Sequence, residues 1–86
     1  MTVYVDDMVK YRGSKWWCHM WASGGRQELH AMAEKIGLKR GWFQEHPVHP
    51  HYDLTESKRA MALKNGAVAC SSVELIALIR KATVPE

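Results

Sequence analysis

The sequence predicts an α/β fold: a minimal three-layer, Rossmann-like sandwich of three mainly parallel strands and three helices, with a tryptophan-rich flap after the first strand. Three observations lead there. Short apolar runs alternate with longer segments of helical spacing, the pattern of a parallel sheet with right-handed crossovers. The helical segments carry their own punctuation, with glycines at their ends and a Ser-x-x-Glu capping pattern before the last. The chain has 86 residues and is 47% hydrophobic, enough for a single domain with one core and no staples.

The elements follow in order. Thr2, Val3, Tyr4 and Val5 are β-branched or aromatic and two aspartates follow, so a first strand ends at Asp6 or Asp7. Alternation puts Val3, Val5 and Asp7 on one face and Tyr4 and Asp6 on the other. Residues 8–22 hold Trp16, Trp17 and Trp21 and a turn signal at residues 12–15. They read as a hairpin or an irregular flap, with a helix open to the second half. Ser23, Gly24 and Gly25 then break the chain and start a helix. Its Leu29, Met32, Ala33 and Ile36 share an inward stripe, and Gly37 caps it. After a polar connection, residues 42–44 form a short second strand. Residues 45–53 form a loop that Pro47 and Pro50 keep extended. Asp53 with Glu56 is a capping box opening the second helix, and Thr55 is the alternative cap. Asn65 and Gly66 end that helix. Residues 67–70 are small and apolar, suited to a third strand buried on both faces. Ser71 with Glu74 opens the third helix, which turns Leu75, Leu78, Ile79 and Ala82 inward, and residues 83–86 fray.

The candidate chemistry gathers where a parallel sheet presents its strand ends. Asp6 and Asp7 are carboxylates placed for a metal or a proton transfer. Residues 42–59 hold three of the five histidines and two of the three prolines. In an extended chain His49, His51 and Asp53 project to one side, and two imidazoles with a carboxylate suit Zn, Mn, Fe or Ni. In a polyproline-like chain His46 and His49 pair instead, and the two geometries stay open. The spelling H-x-H-x-D at residues 49–53 matches the metallo-β-lactamase superfamily by coincidence. Leu54 stands where that motif needs a histidine, and its fold needs a longer chain. Lys58 and Arg59 fall in the first turns of the second helix, where the dipole disfavours cations. A phosphate beside them, bound also by the helix N–H groups, would account for both; a Glu56–Arg59 surface pair is the alternative. His19 lies among aromatics and His30 flanks the first helix's apolar stripe. Each reads either as a ligand-binding imidazole or as one bonded to a carbonyl or to solvent. Gln44 ends the second strand, and Tyr52 sits between His51 and Asp53.

Other classes are excluded more cleanly. No GxGxxG or GxxxxGK[ST] loop is present, which removes a nucleotide fingerprint. Two cysteines make no disulfide framework, and Cys18 and Cys70 read as reduced thiols. With no basic-then-apolar leader and no bilayer-length apolar run, a cytoplasmic setting without a membrane partner is expected. The formal net charge of +3 favours anionic partners such as phosphates or nucleic acid, although the basic residues are spread rather than clustered.

Five strings stand out together: VYVDD at residues 3–7, Trp17-x-His19, ELHAMAEKIGL at residues 28–38, WFQ at residues 42–44 and HPHYDLTESKRAMALKNGAV at residues 49–68. Together they resemble the domain-of-unknown-function 4031 family of small bacterial and phage proteins, over nearly the whole chain. The resemblance implies that Asp6, Asp7, His19, His30, Gln44, His51, Asp53, Lys58 and Arg59 fall on motif positions. It also implies a small, often phage-borne cytosolic protein. It implies no activity.

Two function classes follow. The first is a protein that binds a phosphate-bearing ligand, a nucleotide or nucleic acid, and acts as a metal-assisted hydrolase. Asp6, Asp7, His51 and Asp53 would be catalytic, and Asp6, His49, His51 and Asp53 would hold a divalent metal. His19, His30, Gln44, Tyr52, Lys58 and Arg59 would bind the ligand. The second is a non-enzymatic module that docks on a host protein or nucleic acid through the tryptophan-rich flap.

Overall fold

The computed structural model describes residues 1–10 and 15–83. Of the turn expected at residues 12–15 only Lys15 lies within them, and of the expected tail only Thr83. The protein is α/β, but its five-stranded sheet is mixed rather than mainly parallel. β3 (Trp16–Ala22) is the central strand. β1 (Val3–Val5) and β2 (Val9–Lys10) both pair antiparallel with it along one edge, and β4 (Tyr52–Leu54) pairs antiparallel along the other. β5 (Val68–Ala69) adds parallel to the outer side of β1.

The tryptophan-rich segment, expected as a hairpin or an irregular flap, supplies the antiparallel pair β2–β3, and β3 is the middle of the sheet. Its period-two alternation is complete: Cys18, Met20 and Ala22 are buried with the main core, while Trp17, His19 and Trp21 take the opposite face. Apolar groups stand on both sides, so the pattern does not announce a half-buried strand. Only residues 11–15 separate β2 from β3, and so short a link joins antiparallel neighbours rather than parallel ones.

The expected strand at residues 42–44 is also corrected. Arg40–Trp42 is a 3-10 turn, with Trp42 N–H bonded to the Lys39 carbonyl and Phe43 N–H to that of Arg40. Gln44 keeps only an isolated bridge with His51. The place beside β3 goes to Tyr52–Leu54, because Tyr52 and Leu54 fill the core at 1% and 0% exposure. Asp53 is thus a strand residue opposite His19 and not a helix cap. Thr55 caps α2 (Glu56–Lys64) by accepting the Lys58 N–H. β5 is an exposed edge strand rather than a strand buried on both faces.

The helices follow their sequence signals, except that Ala82, expected on the inward stripe of the third, is exposed. In α1 (Arg26–Lys35), Leu29, Met32 and Ala33 are buried, as is Ile36 just beyond it. Gly37 adopts φ 80°, and its N–H bonds Glu34 while Leu38 N–H bonds Ala33. This is a Schellman end, which a residue with a Cβ adopts only with strain. α2 ends in the same way at Gly66. α3 (Ser72–Thr83) opens on the expected reciprocal cap, with Ser71 N–H to Glu74 and Glu74 N–H to the Ser71 hydroxyl.

The core lies on both sides of the sheet. α1 and α2 cover one face through Leu29, Met32, Ile36 and Ala62, packed on Val5, Met20, Tyr52 and Leu54. α3 covers part of the other, where Leu75 and Ile79 meet Trp21 beside Tyr4. The rest of that second face stays open, and there the polar groups collect.

Candidate metal centre

A bulge starts the site. From Val5 to Val9 is four steps along the chain, but their partners Met20 and Trp17 are only three apart on β3. The extra residue breaks the ladder at Asp6, and bulges of this kind re-aim side chains. Asp6 N–H still bonds the His19 carbonyl at 3.2 Å. The return bond is made by the side chain instead: His19 N–H donates to Asp6 Oδ1 at 2.6 Å. The Asp6 carbonyl, released from the ladder, accepts Arg59 Nε at 2.8 Å. Asp6 is 2% exposed, so its carboxylate faces protein and not solvent.

The other Asp6 oxygen, Oδ2, lies 2.9 Å from His19 Nδ1 and 3.4 Å from the Ser72 hydroxyl. Burial alone would raise the Asp6 pKa, but the bonds from the His19 ring and backbone outweigh it and hold the carboxyl below its usual value. The same hydrogen bond raises the His19 pKa. An ionised Asp6 accepts a hydrogen bond from His19 Nδ1–H, leaving Nε2 at the far side of the ring.

That far side faces β4. His19 and Asp53 are register partners, and His19 Nε2 lies 3.9 Å from Asp53 Oδ1. His51 precedes Asp53 by two residues, and its Nε2 lies 3.5 Å from the same oxygen. His51 Nδ1 is 2.8 Å from the His49 carbonyl, an acceptor that requires the proton on Nδ1. The hydrogen bond to His51, against burial, holds the Asp53 carboxyl below its usual range. Two imidazole Nε2 atoms and one carboxylate oxygen thus converge, all within 4.8 Å of one another. The Asp53 side chain is 42% exposed, so the cluster is reachable from solvent.

Two depressions flank it. One, of about 350 Å³, is lined by Trp17 with the three clustered residues, and a neighbouring groove that shares Trp17 and Asp53 with it reaches Trp42 and Lys58. The other, of about 300 Å³, lies toward α3, where Asp6, His19, His49 and His51 meet Leu75 and Ile79.

A family model described as a protein of unknown function, DUF4031, matches residues 3–82, nearly the whole chain. The chain belongs to the DUF4031 family. No curated protein and no solved structure matches it.

The fold of this DUF4031 chain sorts the residues singled out from sequence. His19, His51 and Asp53 come together, with Asp6 behind His19. His49 supplies its carbonyl to His51, and its ring stacks on His46 at 3.7 Å. Asp7 is exposed beside the bulge. Gln44 is exposed and held next to His51 by the backbone bridge. Tyr52 points to the opposite face, where its hydroxyl lies 2.8 Å from His30 Nδ1. Lys58 Nζ donates to the Ile36 carbonyl at 2.7 Å, finishing the end of α1, while Arg59 holds Asp6. These bonds give both cations a protein partner at the start of α2. Cys18 is no nucleophile, because burial pushes its thiol up to about 12. Sequence reasoning missed Ser72 as a partner of Asp6, and it missed Trp42 at the groove. The only signal for Ser72 was its place just after the expected third strand, next to the Ser71 cap.

Proposed function

We propose that the chain is a metal-assisted hydrolase of a phosphate-bearing ligand, built on one divalent transition-metal ion held by His19, His51 and Asp53. One observation carries the reading: both histidines have their Nδ1 proton committed, to Asp6 and to the His49 carbonyl, and both turn Nε2 toward the same carboxylate. Metal-binding histidines are oriented by such partners, which set the tautomer and raise ligand basicity. Three protein ligands leave coordination positions open, as in catalytic rather than structural zinc sites. With bonds of about 2.1 Å, tetrahedral ligand atoms stand roughly 3.4 Å apart, so the cluster must draw in to close on an ion.

A metal here would polarise a phosphoryl oxygen and bring a bound water to hydroxide near neutral pH. The water oxygen adds to phosphorus, the ester oxygen leaves, and the proton released by the water ends on that leaving oxygen. The net charge of +3 favours such a substrate over a cationic one. Docking on a host protein through the tryptophans is the weaker reading, because Trp21 is buried under α3.

The test uses untagged protein dialysed against Zn²⁺, Mn²⁺, Fe²⁺ or Ni²⁺, with metal content measured per chain. One ion should be retained, His19→Ala and Asp53→Ala should lose it, and hydrolysis of bis(p-nitrophenyl) phosphate should track it. Metal content no higher in the wild type than in His19→Ala would remove the reading.

A further inference from the structure

We infer that the groove running from Asp53 to Trp42 is the seat of a planar base, so that the ligand is a mononucleotide. This rests on the phosphate-hydrolase reading and deepens it by assigning the part of the ligand that does not react. The groove has about 400 Å³ and is lined by Trp17, Trp42, Gln44, Asp53, Thr55 and Lys58. Its Asp53 end is the proposed metal ligand, so a phosphate on the metal would leave the rest of its molecule in this space.

What the space contains is specific. Trp17 is half-buried and shares the face of β3 with His19, two residues away. Trp42 is 50% exposed, a large apolar area for an 86-residue chain to leave in water. It is held on its 3-10 turn with Lys39 Nζ 5.6 Å from the ring centroid, a cation–π contact. Indole faces accept any nucleobase, since every base has a π face. Lys58 is pinned in the groove by the Ile36 carbonyl, and its ammonium has further N–H donors to offer an anion. Gln44 brings an amide able to donate and accept at a base edge, and its bridge to His51 fixes its backbone. The volume is at the small end of ligand pockets, room for one base and its sugar phosphate rather than a strand.

The test is a titration of metal-free protein with adenosine and uridine monophosphates, with the matching nucleosides, and with inorganic phosphate, followed by tryptophan fluorescence and calorimetry. Nucleotides and nucleosides should both bind and quench. Trp42→Ala should weaken both about tenfold or more, the fold-change that one lost stacking partner produces. Gly41→Leu gives a second probe: Gly41 lines the groove, and a Cβ there meets nothing within 4 Å, so a side chain can be added at the groove wall without a backbone clash and should weaken binding of the base. Both variants should retain metal as the wild type does. Nucleotide binding by the metal-free protein, together with a wild type that retains no ion after dialysis against the four metals, would support the groove and remove the hydrolase reading. Inorganic phosphate binding as tightly as the nucleotides, with Trp42→Ala and Gly41→Leu unchanged, would overturn the base seat and leave the metal centre standing. Short oligonucleotides binding far more tightly than mononucleotides would overturn the single-nucleotide assignment.

Discussion

At the scale of single residues the decisive group is one that no ligand touches. Asp6 is buried, and it sets the ring of His19, pairs with Ser72 and, through its carbonyl, anchors Arg59. Asp6→Asn keeps the shape and removes the charge. Metal affinity is expected to fall roughly 10- to 100-fold, the usual cost of losing an outer partner of a metal-binding histidine. Competition against a chromophoric chelator measures it, and affinity equal to wild type would show that Asp6 is a bulge residue only. His30 makes a separate prediction on the other face. Burial, then the charges of Arg40 and Arg26, hold its pKa below the ordinary 6.5, with Glu45 opposing, and burial keeps the Tyr52 phenol protonated. The neutral ring accepts the Tyr52 hydroxyl. A histidine depressed in the fold is protonated first in the unfolded chain. Its stabilisation is therefore complete above about pH 6.5 and is lost as pH falls from there through the folded value. Urea melts with chelator between pH 8 and pH 5.5 should show wild type losing more stability than His30→Gln. Parallel losses would mean that His30 does not titrate with folding.

At the scale of elements, the caps are where sequence and structure agree most closely. Ser71 and Glu74 satisfy each other's N–H groups at the start of α3. Ser71→Ala should cost about 1 kcal/mol, read as a lower urea midpoint at unchanged slope. Trp21 under Leu75 and Ile79 is the natural reporter, and an unchanged midpoint would show that α3 holds by packing alone. The helices were legible because glycine after a helix and Ser-x-x-Glu before one report backbone geometry locally, as the two Schellman ends at Gly37 and Gly66 confirm. Strands were less so, because their signal depends on what lies on each side. Trp16–Ala22 hides its alternation behind apolar residues on both faces. At residues 52–54 the sequence Tyr-Asp-Leu follows two prolines and precedes Thr-Glu, so helix capping was a competing use for Asp53. Three-dimensional pairing decided between them, since Asp53 lies opposite His19. The histidine and aspartate types of the candidate centre were visible in the sequence. Which histidine joined which carboxylate was not, because an unpredicted bulge turns Asp6 inward and the segment read as a hairpin or flap takes the centre of the sheet, which brings His19 to the front.

At the scale of the whole molecule, the candidate centre adds side-chain ties between segments that the sheet and the Trp21 cluster already bring together. His19 is on β3, His51 and Asp53 come from the approach to β4 and from β4 itself, and Asp6 behind them reaches Ser72 at the start of α3. Helices α1 and α2 close the opposite face with a continuous core, whereas α3 covers its face only through Trp21, Leu75, Ile79 and their neighbours. A metal that binds the folded chain and not the unfolded one should therefore stabilise the less protected side of the sheet. Free ion at a hundred times its dissociation constant adds about 2.7 kcal/mol. For a domain of this size each kcal/mol moves Tm by about 4–8 °C, so Tm should rise by roughly 10–20 °C on loading and return on chelation. The increase should vanish in His51→Ala and shrink in Asp6→Asn. Hydrogen exchange should slow at β3, at β4 and at the first turn of α3, because Ser72 reaches the centre through Asp6. A rise in Tm of the same size in His51→Ala would place the ion elsewhere, at surface carboxylates. A rise without added protection in α3 would mean that the Asp6–Ser72 contact transmits nothing from the centre to that helix.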